Sequence, residues 1–233
     1  MAVVTISRQY ASGGNEIAAR VAALLGYTIF DKTMMKEMAV EVGMTRDQIV
    51  DFSETDHRTR SFLDRLLGRT VTVAETRQWQ EDRQGVRELE VRQITDSQAI
   101  SMVTGVIEAA CRRGNVVIVG RGGQAILKDE PAVLHVRIEA PLLHRIDRLV
   151  KQTGMLPYTA ELEIEDRDRA ARDYVKRYHG IDPVDLVHYH LTINSGLLDM
   201  ETAAEVIALA VQQMKAVPQP EVEPLEAAPF YFM

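Results

Sequence analysis

The sequence predicts an α/β domain in which helices cover both faces of a parallel β-sheet. Residues 2–30 pass from a strand-like run through a glycine turn and an amphipathic helix to a second strand, an order that favours parallel strands joined by a right-handed crossover. Residues 116–119 form an unbroken run of valine and isoleucine, which is typical of a strand covered on both faces. Strand candidates at 133–138 and 189–194 are each followed by a helical pattern, so the alternation continues along the chain.

The opening elements are well defined by their residue pattern. A strand over residues 2–7 leads to a turn at 12–14 and then to a helix whose apolar side chains recur at helical spacing. Gly26 stands where a helix C-cap is expected, and residues 27–30 form the second strand candidate. The apolar face of this helix carries Ile17, Val21, Leu24 and Leu25.

The middle of the chain predicts a helical insert at about residues 44–113. The insert is mostly polar and helix-like, with one weak strand candidate at 70–74. Its last helix is the best defined, because apolar residues repeat at helical spacing from Ile100 to Cys111. The remaining predicted helices cover residues 141–153, 159–178 and 202–214.

These elements predict a single domain over residues 1–216, followed by a disordered tail over 217–233. The tail holds four of the eight prolines and three glutamates, and prolines at that density oppose regular structure. The alternative is that its aromatic end, Phe230-Tyr231-Phe232, docks on a neighbouring molecule.

Composition narrows the classes of protein. The formal net charge is −7, whereas duplex-binding proteins usually present a basic surface, so no nucleic-acid partner is expected. No apolar run is long enough for a membrane span, and the N-terminus lacks the basic region and the small-residue cleavage site of a signal peptide. The single cysteine, Cys111, cannot form an internal disulfide. We therefore expect a cytoplasmic protein without a membrane partner.

The loop between the first strand and the first helix, residues 7–16, has the arrangement that binds phosphate. Backbone N–H groups at a helix N-terminus point into such a turn, and the helix dipole favours an anion there. The phosphate-loop motif G-x-x-x-x-G-K-[ST] is nevertheless incomplete, because Gly14 stands at its lysine position when Gly13 is aligned with its second glycine. The alternative is a tight connection without a ligand. Arg8 favours phosphate, since a guanidinium at a strand end can bind it through its planar fork.

Several segments together resemble the cytidylate kinase-like family. The opening run 5–10, followed by Ser12-Gly13-Gly14 and Glu16-Ile17-Ala18, is similar to that family's S-R-Q-Y-G-S-G-G type of loop. The resemblance covers most of residues 1–214 and is weak over 44–95 and in the tail. The other matching segments are Asp31-Lys32 after the second strand, Gly120-Arg121-Gly122 after the third, and Arg167-Asp168, Arg172 and Tyr174 before the closing Leu-Thr-Ile-Asn strand.

The resemblance implies a three-layer fold of the P-loop nucleoside monophosphate kinase type, with a parallel sheet of about five strands and a mobile, charged lid helix at about residues 155–180. It also implies phosphorylation of CMP or a related acceptor, with ATP and Mg²⁺ as cofactors. The chain departs from the family pattern at Ala11, where glycine is common, and a positive φ there would be costly for alanine. It also lacks the loop lysine, and Gly120-Arg121-Gly122 lacks the acid of a Gly-Arg-Asp segment.

Three groups of candidate site residues follow. Phosphoryl transfer needs positioning and positive charge around the transferred group, and ligands of open parallel sheets bind outside the carboxyl ends of the strands. The catalytic candidates are Arg8, Arg167 and Arg172. The cofactor-binding candidates are Ser12, Gly13, Gly14, Asn15 and Glu16. The substrate-binding candidates are Asp31, Lys32 and Arg121.

Each candidate also has a plainer interpretation. Asp31 could cap the following helix instead of binding the acceptor or magnesium, and Lys32 could be a solvated residue of its first turn. Glu16 could bind magnesium or simply favour the helix dipole. Arg121 could pair with a nearby acid. The lid cations could form i,i+4 pairs on a solvated face: Glu165 with Arg169, Asp168 with Arg172, and Asp173 with Arg177.

Two other functions stay open at this point. A nucleotide-binding regulatory protein without catalysis would fit the missing lysine. An assembly role would fit a homodimer formed through the insert, with Trp79 as an anchor. His188 and His190 flank Tyr189 and share one face of a strand, but no third ligand is evident, so no metal-binding residues are assigned.

Overall fold

The computed structural model describes residues 2–30, 34, 74–81, 87–94 and 96–214, with residues 74–81, 87–94 and 96–99 described as backbone only. The predicted tail and the candidates Asp31 and Lys32 lie outside the described residues, as does most of the predicted insert before residue 74.

Seven strands and six α-helices are described. In chain order they are β1 (Val3–Arg8), α1 (Gly14–Leu25), β2 (Thr28–Ile29), β3 (Ala74–Glu81), β4 (Arg87–Ile94), α2 (Asp96–Arg113), β5 (Val116–Val119), α3 (Gly123–Ile126), β6 (Val133–Glu139), α4 (Leu142–Thr153), α5 (Pro157–His179), β7 (Leu191–Asn194) and α6 (Met200–Gln213), with a 3₁₀ turn at Leu186–His188 before β7.

Five strands form one parallel sheet in the order β2-β5-β1-β6-β7, with β1 at its centre. Val3 is level with Val116 on one side and with Val133 on the other, so the carboxyl ends of the three central strands meet at one edge. The predicted fold class is therefore confirmed.

The core lies on both faces of the sheet because successive side chains of a strand point to opposite faces. Val3 packs in one cluster with apolar residues of α2, including Ile107, whereas Val4 and Ile6 pack in the other with residues of α1 and α6. Short apolar strands of this kind need helices on both faces, and α1, α2 and α6 supply them.

The insert, predicted to be mostly helix-like with one weak strand candidate at 70–74, contains two strands that the sequence did not predict, β3 and β4. These strands form an antiparallel hairpin that pairs Ala74 with Ile94 and Trp79 with Leu89. Glutamate, arginine and glutamine favour helices intrinsically, and their abundance here masks the alternation of Leu89 and Val91, which is the period of a strand.

A pair of histidines packs between the strands on one side of the sheet. Thr5 Oγ1 lies 2.7 Å from His135 Nδ1, and the backbone N–H of His135 donates to His190 Nδ1 over 2.9 Å. The two rings are stacked with centroids 5.3 Å apart. Burial, and secondarily the neighbouring His190, lower the pKa of His135 from 6.5 to about 4.

This lowered pKa predicts acid-sensitive stability. Between pH 6.5 and about 4, His135 is protonated in the unfolded chain but remains neutral in the folded chain. The free energy of unfolding therefore falls as pH falls through this range. At neutral pH the lowered pKa of His135 contributes up to about 3 kcal/mol to the free energy of unfolding. Urea unfolding of wild type and His135→Gln from pH 7 to pH 4 measures it, and we expect a flatter pH profile for the variant.

The exposed His144 provides the matched control, because His144→Gln removes a histidine that the fold does not bury. Parallel pH profiles for wild type and His135→Gln would contradict the assignment.

Candidate functional site

The loop that joins β1 to α1 exposes a helix N-terminus at the edge of the sheet. Helix α1 begins at Gly14 after Gly13, whose φ is +81°. The first N–H groups of a helix have no acceptor inside it, so those of Gly14 to Glu16 are available to an anion. The positive φ of Gly13 favours glycine, because other residues rarely adopt this conformation.

Ala11 and Ser12, which precede the helix, have unusual features in the loop. Ala11 has a φ of +58°, so the residue that departs from the family's glycine does occupy a left-handed conformation. Ser12 is fully buried, and its hydroxyl has no hydrogen-bond partner among the described residues. Buried hydroxyls are normally paired, so Ser12 Oγ is a candidate ligand contact.

Arg8, at the end of β1, reaches across the loop. Its Nε donates to Asn15 Oδ1 over 3.2 Å. Gly14 and Gly120 leave the room it needs, because a Cβ at either position would collide with the Arg8 side chain. Burial lowers the pKa of the Arg8 guanidinium, which nevertheless keeps its charge in a protein.

Two adjacent cavities meet at this arginine. The smaller, about 360 Å³, is bounded by loop residues 8–16 together with α4 and α5. The larger, about 480 Å³, lies over the ends of β1, β5 and β6 and under α5. Both cavities are lined by Arg8, Gln9, Asp168 and Ala171. We call them the loop cavity and the strand-end cavity.

The lid helix α5 is tied to the loop. Asp168 accepts a hydrogen bond from the backbone N–H of Tyr10 over 2.8 Å. It also forms an ion pair with Arg145, whose Nη1 lies 2.5 Å from its carboxylate. The Tyr10 hydroxyl donates to Glu163 over 3.0 Å, and Arg167 lies over the Tyr10 ring at 5.6 Å from its centroid. The lid therefore brings Arg167 to the loop cavity.

Arg172 lies farther along the lid, beside the strand-end cavity. Its guanidinium forms a bidentate pair with Asp182, at 3.0 and 2.6 Å, and Lys176 Nζ lies 2.9 Å from the same carboxylate. Hydrogen bonds from Arg172 and Lys176 hold the pKa of Asp182 well below its usual range. Asp168, the i,i+4 partner expected for Arg172, is bound to Arg145 instead.

Arg121 follows β5 and has a φ of +58°. Its guanidinium lies 5.2 Å from the centroid of the buried Phe30 ring, and the residue lines the strand-end cavity. The next residue, Gly122, begins the turn into α3, and a Cβ there would collide with His179.

The structure divides the predicted site residues between the two cavities. Those that line the loop cavity are Arg8, Ser12, Gly13, Gly14, Asn15, Glu16 and Arg167. Those that line the strand-end cavity are Arg8, Arg121 and Arg172.

Three arginines at the site escaped the sequence reasoning. Arg148 donates to the carbonyl of Ala11 over 2.8 Å, Arg145 pairs with Asp168, and Arg137 points from β6 into the strand-end cavity. Arg137 carried a usable signal, because it is a charge inside the otherwise apolar strand 133–138. Arg145 also donates to the carbonyl of Tyr10, and this contact and that of Arg148 with Ala11 join residues more than a hundred positions apart, which sequence spacing does not reveal.

The loop cavity offers oxygen ligands but no preformed metal cluster. Within the described ranges, no group of three or more histidine, cysteine, aspartate or glutamate side chains is arranged to hold a metal ion. Glu16 accepts a hydrogen bond from Gln152 over 3.2 Å, and its carboxylate and the Ser12 hydroxyl are the hard oxygen donors that suit Mg²⁺. No helix in the described part of the chain has the length and apolar character to cross a bilayer.

A parallel α/β sheet with a helix N-terminus and a cationic cleft at its carboxyl edge is the arrangement by which nucleotide-binding α/β proteins bind phosphate groups. The chain belongs to the cytidylate kinase-like family, whose model matches residues 3–197.

Its relatives agree with this membership. A cytidylate kinase of Aeropyrum pernix is 26% identical over 87% of this chain and 94% of its own, and one of Pyrococcus horikoshii is 24% identical over 92% and 91%. A crystal structure of an uncharacterized protein from Eubacterium ventriosum shares the fold with a TM-score of 0.60 at 18% identity, covering 91% of this chain and 99% of that one. Homology thus supports a nucleotide kinase-like activity.

The left-handed conformation of Ala11 predicts a stabilising substitution. Ala11→Gly relieves a strain of about 1–2 kcal/mol, offset by about 0.5–1 kcal/mol of extra backbone entropy in the unfolded chain. We expect the free energy of unfolding, measured in urea, to rise by about 0.5–1 kcal/mol.

Ala23→Gly, at an exposed position within α1, is the matched control and should lower stability by about 1 kcal/mol. A loss of stability in both variants would show that the loop does not hold residue 11 in this conformation.

Proposed function

We propose that this protein is an ATP- and Mg²⁺-dependent phosphotransferase that phosphorylates a nucleoside monophosphate, with CMP as the first candidate. The observation that supports this most directly is the position of Arg8, where a phosphate-loop cavity and a cationic second cavity meet. Phosphoryl transfer is catalysed mainly by positioning and by positive charge between donor and acceptor.

The loop cavity suits the phosphates of ATP. Backbone N–H groups from Gly14 to Glu16 and the buried Ser12 hydroxyl would bind phosphate oxygens, and Arg167 would approach them from the lid. Bound Mg²⁺ would neutralise phosphate charge, with Glu16 and Ser12 as the residues that could hold it. Arg8 would supply the charge that the absent loop lysine supplies in the full motif.

The strand-end cavity suits the acceptor. Six cationic residues line it against two acidic ones, so it favours an acceptor that carries negative charge. CMP is the first candidate acceptor because the chain belongs to the cytidylate kinase-like family and has relatives that are named cytidylate kinases. A homodimer formed through the insert stays part of this proposal.

The second candidate is a nucleotide-binding protein without catalysis. It is favoured by the missing lysine, which in the full motif neutralises phosphate charge. Incubation with ATP, Mg²⁺ and CMP, UMP, AMP, GMP and dCMP, followed by chromatographic detection of ADP and diphosphates, separates the two. Binding of ATP in calorimetry without product from any acceptor would favour the second candidate.

Arg8→Ala tests the role of the arginine in transfer. Removing one donor that stabilises transition-state charge lowers kcat by about 10²–10³-fold, so we expect a loss of this size. Arg8→Lys keeps a charge on a thinner side chain and should recover part of the rate. Steady-state kinetics with saturating ATP and the best acceptor measures both.

Arg20→Ala is the control, because Arg20 pairs with Glu201 on the surface between α1 and α6. An Arg8→Ala enzyme with the wild-type kcat would remove Arg8 from the catalytic machinery.

A further inference from the structure

Arg137 is a buried cation on the sheet itself. It is only 6% exposed, and it lies near the carboxyl end of β6, beside Ser7 of β1 in the parallel register. Ligands of open parallel sheets bind beyond this edge, and Arg137 lines the strand-end cavity there.

Its neighbours hold the guanidinium in one orientation. Nε donates to Glu139 over 2.6 Å, Nη1 donates to Ser7 Oγ over 3.3 Å, and the Tyr189 ring lies against it with its centroid 5.7 Å from Cζ. The Tyr189 hydroxyl is itself anchored on the carbonyl of Pro183 over 2.8 Å. A guanidinium held from several sides is preorganised to bind an anion.

These contacts do not use up the donors of Arg137. A guanidinium carries five N–H groups, and the hydrogen bonds to described residues engage only Nε and Nη1. The Nη2 group therefore remains for a ligand in the cavity. A buried ion pair is also a poor source of stability compared with apolar packing, so its presence in an apolar strand favours a binding role.

We propose that Arg137 binds the anionic group of the acceptor, a phosphate monoester, and that Glu139, Ser7 and Tyr189 are its positioning residues. This inference rests on the proposed function and adds to it the residue that selects a phosphorylated acceptor over a neutral one. A phosphate dianion is favoured because Arg8 and Arg121 line the same cavity and add to the positive charge.

The test asks whether the preference for a phosphorylated ligand depends on Arg137. Calorimetry without ATP measures the dissociation constants of CMP and cytidine for wild type, Arg137→Gln and Arg137→Lys. We expect wild type to bind CMP at least about tenfold more tightly than cytidine, Arg137→Gln to lose most of this preference, and Arg137→Lys to keep part of it. A merely structural role would weaken both ligands alike.

Further measurements distinguish a failure of this inference from a failure of the proposed function. Arg20→Gln should keep the wild-type ratio, and ATP affinity should change less than about threefold in every variant. CMP binding to wild type with an unchanged ratio in Arg137→Gln would overturn the inference and leave the proposed function standing. A wild type that binds no monophosphate of the panel would overturn the proposed acceptor class, and this inference with it.

A crystal structure of wild type with CMP decides the question even if the variants fail to fold. A phosphate within hydrogen-bond distance of Arg137 Nη2 would support the inference. A phosphate bound elsewhere would overturn it.

Discussion

The guanidinium of Arg8 lies between the loop that follows β1 and the loop that follows β5, and each loop has a glycine where it meets the arginine. A Cβ at Gly14 would lie 2.6 Å from Arg8 Cβ, so the helix N-terminus can approach the strand end only because that side chain is absent. The same arginine forms part of both cavities. Its charge is thus fixed where the donor and acceptor phosphates would face each other, and the remaining groups of the site are arranged around it.

Helices α4 and α5 both contact the backbone of the loop. Asp168 fixes Tyr10 through its backbone N–H, and Arg148 fixes the carbonyl of Ala11 from α4. A left-handed alanine persists only where the surroundings over-determine it, and these two contacts on adjacent residues do so. Because one of the contacts comes from α5, any displacement of this helix would remove a contact that holds the loop.

Local patterns predicted the five strands of the main sheet, the five longer helices and the glycine turn before α1, because strand and helix periods are properties of neighbouring residues. The hairpin of β3 and β4 was missed because its polar residues favour helices on their own. The partners of the lid charges could not be predicted either. Spacing along α5 suggested pairs within the helix, whereas Asp168 and Arg172 pair with Arg145 and Asp182, which only the tertiary fold brings near.

The two arginine–carboxylate pairs beside the strand-end cavity differ in how easily a ligand could separate them. The pair of Arg172 with Asp182 is partly exposed, so replacing its carboxylate with an anionic ligand costs less free energy than separating a buried pair. The pair of Arg137 with Glu139 has a buried guanidinium, and separating it would leave a desolvated charge without compensation. Arg137 is therefore held on the sheet, whereas Arg172 and Lys176 could exchange partners at a lower cost in free energy. A rigid cation beneath the ligand and adjustable cations above it would let the cleft close on an acceptor without changing where its anionic group is bound.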